Sequence, residues 1–309
     1  MTADRLPANA RLLHWALSLY PASYGDGARA EIAHHAGQHI AGTGRLAGLR
    51  EVADVAGYGA RVRLGLVPHR PPGQALATAA PLAAVLAGTY AAWHLWSIAQ
   101  VIHGEGLDWY GPSGARVVAV TALMLAPAAL MAVAVLAGRW TAARCLALVA
   151  VVAASLLPVL FQPLLRDYQA VLLVFNAAVV LVAPPDRTSH PSRAVPWAVA
   201  LSIMAGEIAL SVAGSFFGER ALHTAFDFVA PVVTGVAIAC TARAVGQAAL
   251  ATAVLAGPPL LSPLLLDMGP THLPLVVRPV VLFTAGYAIA FVTVRLAGQF
   301  TRHSDILHR

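Results

Sequence analysis

Lysine is absent from this chain of 309 residues, so all twenty of its basic side chains are arginine. Charged residues of both signs make up only 11% of it, against roughly 25% in an ordinary soluble domain, and 59% are apolar. Most of such a chain cannot face water, and lipid is the expected solvent for its bulk. Cysteine occurs only as Cys145 and Cys240, too few for a disulfide framework, and both read as buried, reduced thiols. The chain also lacks a phosphate-binding P-loop, a dinucleotide fingerprint and an H-E-x-x-H pair. ATP hydrolysis, redox cofactors and zinc peptidase chemistry are therefore unsupported; no cofactor is expected, and the chain does not read as an enzyme. No secretory signal opens it, because the first apolar run, Leu12 to Tyr20, is broken by His14 and Ser18 and has no small-residue cleavage site behind it.

The formal charge of +6 invites a nucleic-acid reading. A polyanion binder gathers its arginines on one surface, whereas here they are scattered between apolar runs, so no nucleic-acid partner is expected.

Residues 1–73 differ from the rest, with eight Arg, five acids and apolar residues at helical spacing. One stripe runs Leu13, Leu17, Tyr20; a second Ala28, Ile32, Ala36, Ile40; a third Leu49, Val52, Val55, Gly59, Val62, Leu66. Arg50, Glu51, Asp54 and Arg61 lie opposite the third stripe. Pro21 with Tyr24-Gly25-Asp26-Gly27, and then Gly42-Thr43-Gly44, separate three short helices. Packing face to face and lying on a membrane surface fit that pattern equally well. Pro68, Pro71, Pro72 and Gly73 read as a hinge.

Beyond the hinge, apolar runs near the ~20 residues that cross ~30 Å of hydrocarbon follow one another. They predict spans at 75–102, 115–138, 143–162, 168–183, 194–214, 225–241, 245–266 and 274–298. The expected fold is all-α: a polytopic membrane protein of about eight transmembrane helices with a small cytosolic helical domain. Its parts are a cytosolic N-terminal domain at 1–73, a transmembrane domain at 74–300 and a cytosolic tail at 301–309. On that assignment sixteen arginines border one side and four, Arg116, Arg166, Arg220 and Arg278, the other. Translocated loops are poor in basic residues, which places both termini in the cytosol and the chain in the cytoplasmic membrane.

The chain carries an internal pattern. Ala126-Pro127 precedes Arg139, Pro158 and Pro163-Leu164-Leu165-Arg166-Asp167; Ala230-Pro231 precedes Arg243, Pro258 and Pro263-Leu264-Leu265-Leu266-Asp267. A four-plus-four duplication would produce it, with the halves related by an axis along the membrane normal. The prolines at 158, 163, 258, 259 and 263 predict kinks in or at the ends of the third and seventh spans.

Glu207 is the one acid well inside a predicted span. A charge there costs on the order of 2.5 to 3.5 kcal/mol, so its carboxyl should face the bundle interior and pair, or bind a proton or cation. His94 and Asn176 are candidate partners, and Arg116 and Arg278 could reach inward from a span end. Asp167 and Asp267 follow matched spans, beside Arg166 and before Arg278, and complete the candidate binding set as helix-end carboxylates that solvent would ordinarily cover. Asp227 suits the N-terminal dipole of the sixth span. Glu31, His35 and His39 share a helix face with metal-ligand spacing, but no fourth ligand is evident and a solvated face is the expected role. Gly111-Pro112-Ser113-Gly114 matches the GxSG string of rhomboid-type intramembrane proteases. No later span carries an interior His, so Ser113 is expected to act as a helix cap. Trp93, Trp96, Trp109, Tyr110, Trp140 and Trp197 fall near span ends, as interfacial anchors do.

Leu17-Ser18-Leu19-Tyr20-Pro21-Ala22-Ser23-Tyr24, running on to Glu31-Ile32, resembles the "LYP" segment of a permease-prefix domain. Arg50-Glu51-Val52-Ala53-Asp54-Val55 through Arg61-Val62-Arg63-Leu64-Gly65 is similar to that domain's second half. Such domains precede integral membrane proteins of high-GC Gram-positive bacteria, often encoded beside PadR-type regulators. The resemblance covers about the first seventy residues, implies no catalytic residues, and suits permease-like transport or sensing of a small or lipophilic compound. The competing expectation is a membrane scaffold or regulator that binds a protein partner through its N-terminal helices. The lipid bilayer is a partner in both.

Overall fold

The computed structural model describes residues 8–42, 44–107, 111, 113–160, 168–184, 194–217, 224–241 and 246–255. Their regular secondary structure is all helical, with no strand among them. The chain divides into two compact units, Met1–Gln74 and Ala75–Arg309.

The first unit holds α1 (Ala8–Ser18), α2 (Asp26–Gly42) and α3 (Arg45–Arg63), joined by a 3-10 turn at Ala22–Tyr24 and by Gly44. Each helix packs on the other two. Of the two arrangements the stripes permit, this is the face-to-face one. The core is Leu13, Ala16, Tyr20, Ala36, Val52 and Val55, with Leu17, Ile32, Ile40 and Ala56 against it. On α3 the inward line is Gly48, Val52, Val55, Gly59, which turns Leu49 outward to 45% exposure. The expected stripe was off by one residue at its start because glycine, with no side chain, gives no apolar signal.

Where α1 ends, Pro21 has no N–H to continue the helix and nearby carbonyls lose their partners. Arg29 covers two of them, its Nη2 donating to Pro21 O at 2.9 Å and to Tyr20 O at 3.3 Å.

The second unit begins inside α4 (Pro71–Glu105). Pro71, Pro72 and Gly73, expected as hinge, form the first turn of this helix, where missing N–H groups cost nothing because those positions have no intrahelical acceptor. Then come α5 (Gly114–Leu136), α6 (Trp140–Leu160), α7 (Tyr168–Val182), α8 (Ala194–Phe217), α9 (Thr224–Thr241) and α10 (Gly246–Leu255). Three of the described helices are long and apolar enough to cross a membrane: Pro71–Glu105, Gly114–Leu136 and Trp140–Pro158. The stretches Ala170–Val182, Ala194–Ala209, Ala230–Thr241 and Gly246–Leu255 are apolar but shorter. The eighth predicted span lies outside the described residues.

Helix α4 is the axis of this unit. Of its most apolar stretch 83% is buried in the protein, against 44% for α5 and 22% for α6. It contributes Ala84, Ala87, Tyr90 and Ala91 to one core shared with α5, α6 and α7. It contributes Ala75, Ala79, Leu82, Ala83, Val85 and Leu86 to a second core shared with α8, α9 and α10. Close approach explains its small residues: a Cβ at Gly88 would overlap the Ala132 side chain of α5 and stand 3.2 Å from Ala128 O.

Helix α5 ends in a Schellman turn, with Gly138 at φ +74°, its N–H on Val135 O, and Arg139 N–H on Ala134 O. This reverses the chain directly into α6, which packs on α5 and α7. Helix α6 is small inside and large outside. Ala143, Ala147, Ala150 and Ala154 are buried, while Leu148, Val149, Val152, Leu156 and Leu160 are exposed. Pro127, Pro158 and Pro231 lie inside α5, α6 and α9, as does Pro81 inside α4, which the repeat pattern did not single out. Pro163, Pro258, Pro259 and Pro263 lie outside the described residues.

Candidate functional site

Five polar side chains are buried among the described residues: Thr89, Asn176, Glu207, Thr234 and Gln247, one each on α4, α7, α8, α9 and α10. Each stands on the core-facing line of its helix. On α8 that line is Val199, Ala200, Ile203, Glu207, with steps that hold one face, so the carboxyl continues an apolar stripe into the interior. Glu207 is 3% exposed and lies ~20 Å along α8 from Ala194 at ~1.5 Å per residue.

Asn176, also 3% exposed, donates from Nδ2 to Leu172 O at 2.9 Å, one turn back on α7. Its Oδ1 is buried and accepts no hydrogen bond among the described residues. The Thr234 hydroxyl, fully buried, is likewise without a hydrogen bond there. Thr89 donates from Oγ1 to Val85 O at 2.8 Å. Gln247 donates from Nε2 to Thr78 Oγ1 at 2.6 Å, tying α10 to α4.

His94 is half-buried on α4. Its Nδ1 lies 3.0 Å from Tyr90 O, and the ring packs on Tyr90 at 4.1 Å between centroids. A carbonyl only accepts, so the proton of that bond sits on Nδ1. Of the candidate residues, then, Glu207 and Asn176 occupy buried positions and His94 a partly buried one. Asp167, Asp267 and Arg278 lie outside the described residues. Arg116, third in α5, is exposed. Sequence reasoning passed over Thr89, Thr234 and Gln247, although each falls at helical spacing from buried apolar neighbours and that spacing was the available signal.

Two expectations need correcting. Cys145 and Cys240 are free thiols, but both are exposed on the helix bundle, because each falls on the outward line of its helix. Ser113 holds the N-cap position of α5 yet makes no side-chain capping bond, its backbone having φ −102° and ψ 14° instead of the extended geometry a cap uses.

In the first unit Glu31, His35 and His39 are exposed, and no group of three or more His, Cys, Asp or Glu among the described residues is placed to hold a metal ion. His34 meets Gln38, their Nε2 atoms 2.9 Å apart. His39 instead lines a groove of about 280 Å³ with Ala47, Arg50, Glu51 and Asp54. The buried Tyr20 donates its hydroxyl proton to Val55 O at 3.3 Å, with Tyr24 and Tyr58 beside it. Burial pushes its hydroxyl up to about 12, with smaller upward contributions from Tyr24 and Tyr58 opposed by Arg61.

No protein-family model, curated protein or solved structure matches the chain.

Proposed function

We propose that the chain is a multi-pass membrane protein of about eight spans with both termini in the cytosol, and that it moves or senses a small or lipophilic compound. The membrane reading is supported by α6, whose large apolar side chains face outward over buried alanines, the reverse of a water-soluble helix. The arginine asymmetry supports the orientation. The Ala-Pro pairs at 126–127 and 230–231 fall within α5 and α9, which suits a four-plus-four repeat.

Transport or sensing rests on the buried carboxyl of Glu207. An ionisable group inside a lipid-exposed bundle is costly to keep, and a helix built only as scaffold gains nothing from it over leucine. The test is proton-coupled flux in liposomes that hold a pH dye, challenged with a panel of small amphipathic compounds. Flux that falls at least tenfold in Glu207→Gln is the expected result. Unchanged flux in that variant removes Glu207 from the mechanism. Absence of flux for every compound in the wild-type chain favours the scaffold reading, for which the separately packed N-terminal unit, with Leu12 and Trp15 exposed on α1, offers a partner surface.

A further inference from the structure

We propose that the corner between α3 and α4 binds the headgroup of an anionic phospholipid, with Arg63 and Arg70 meeting its charge and Leu64 entering the acyl chains beside it. This rests on the reading of α4 as a membrane span and adds to it a preference for one lipid class at one place.

The corner is folded, and its own residues fix its shape. Helix α3 ends in a Schellman turn: Gly65, at φ +71°, gives its N–H to Val62 O, and Leu66 N–H reaches Arg61 O at 2.8 Å. Val67 is buried, and Gly73 in the first turn of α4 lies so close to the Val67 carbonyl that a Cβ there would overlap it. Arg70 N–H on Val67 O and Gln74 N–H on Arg70 O, both at 3.0 Å, join the connection to the helix.

That geometry brings positive charge and an apolar side chain to one turn. Arg70 folds back over Gly65, where a Cβ would stand 3.6 Å from its Nη1 and 3.8 Å from its Cδ. Arg63 closes α3 two residues before that glycine, and Leu64 lies between them. Arg63 and Arg70 are exposed, and Leu64 is 68% exposed. Arg61 serves elsewhere, its guanidinium lying back along α3 toward Gly57 and acting on Tyr20. No acid occurs from residue 55 to 104, and neither Arg63 nor Arg70 makes an ion pair among the described residues. The positive end of the α4 dipole adds to the same field.

Depth selects a lipid as the source of the anion. Arg70 directly precedes α4, and Ala75 is the first residue of that helix in the second core. At ~1.5 Å per residue they are ~7.5 Å apart, against a headgroup layer of ~5 to 8 Å on each side of the hydrocarbon. Leu64 gains nothing in water, but beside a headgroup its side chain meets acyl chains while the arginines remain at the phosphate.

The test titrates the full chain in non-ionic detergent with acyl-labelled phosphatidylglycerol or phosphatidylcholine, read by fluorescence anisotropy. Phosphatidylglycerol should be preferred by on the order of tenfold or more, at about fivefold per arginine, and less so at high salt. Arg63→Gln and Arg70→Gln should each cut the preference about fivefold, whereas the lysine variants at both positions should keep most of it. Leu64→Ser should weaken both lipids alike. Arg11→Gln with Arg50→Gln, an equal loss of exposed charge elsewhere in the first unit, should leave the preference within about twofold, being remote from the corner. No preference in the wild-type chain, an equal loss in that control, binding indifferent to Leu64→Ser, or displacement of the lipid by millimolar inorganic phosphate overturns the proposal. Uptake into phosphatidylcholine vesicles is measured alongside: a chain that inserts but shows no preference overturns this site alone, and one that does not insert overturns the membrane reading with it.

Discussion

Gln247 and Thr78, 169 residues apart in the chain, are joined by a hydrogen bond of 2.6 Å from amide Nε2 to hydroxyl Oγ1. Thr78 lies in the second turn of α4 and Gln247 in the first of α10, so the bond fixes α10 against the axial helix beside Ala75, Ala79, Ala248 and Ala251. In an apolar surround such a bond has few competitors, yet interhelical pairs in membrane proteins average about 0.6 kcal/mol and reach ~1.7. A double-mutant cycle with Thr78→Val and Gln247→Leu should return a coupling energy between those values. Additive effects on the unfolding midpoint would show that the bond does not hold α10.

The α4–α5 contact makes a sterically sharper prediction. Gly88→Ala should destabilise the chain by about 1 to 3 kcal/mol, because its methyl would occupy the place of the Ala132 methyl. Ala132→Gly in the same chain should restore most of the loss. If the double variant unfolds no later than Gly88→Ala alone, the contact is not what limits substitution at Gly88.

Glycines of the N-terminal unit should divide by what surrounds them. A Cβ at Gly59 would stand 2.7 Å from the Tyr20 ring, and Tyr20 is held in the core, so Gly59→Ala should cost about 1 to 3 kcal/mol. Gly37, in α2, has nothing within 4 Å, and Gly37→Ala should stabilise by roughly 0.5 to 1 kcal/mol through helix propensity. Equal effects of the two, read by melting of the full chain, would reject this packing of α1 on α3.

Tyr20 sets a pH window. Its hydroxyl is raised from 10.0 to about 12 in the folded chain, so folding favours the protonated form. The stabilisation is fully present below pH 10 and is lost as pH rises through about 12. Absorbance titration of the phenols should show one late tyrosine that Tyr20→Phe removes. That variant should also flatten the fall in stability between pH 10 and 12 while losing about 1 kcal/mol of hydrogen bonding at neutral pH.

Arg144 supplies the third prediction in the second unit. It donates from Nη2 to Ala183 O at 2.7 Å, just past the end of α7, where unpaired carbonyls carry partial negative charge. Arg144→Met should lower stability by about 1.5 to 3 kcal/mol, a charged hydrogen bond being the one removed. Arg144→Gln, uncharged and shorter, should restore little of it; a full recovery would mean that the arginine serves packing alone.

Much of the architecture was legible before any contact was known. Helix positions α5 to α9 follow from runs of apolar residues bounded by glycine, proline and arginine, because a backbone removed from water must satisfy its hydrogen bonds internally and the helix does so within one segment. Glu207 was legible for the same reason, since a lone carboxyl in such a run has no cheap place to sit. Less legible were features that depend on a neighbour. Asn176 drew attention as a polar residue in a span, but Thr234 and Thr89 read as ordinary threonines until the faces they occupy were seen to be buried. Cys145 and Cys240 were misjudged for the converse reason: a small apolar residue does not announce which side of its helix meets the bundle.

By itself, then, the order of residues determined the helices, the shift in character near residue 74 and the presence of one carboxyl within an apolar segment, all of which follow from periodicity and solvation along a single chain. Only tertiary structure decided that α4 is the axis shared by two cores, that Gly88 and Ala132 meet, and that Asn176 and Thr234 bury oxygen atoms without hydrogen bonds among the described residues. Those facts depend on the rotation of each helix about its own axis, which packing against other helices sets and which no local stretch of sequence contains.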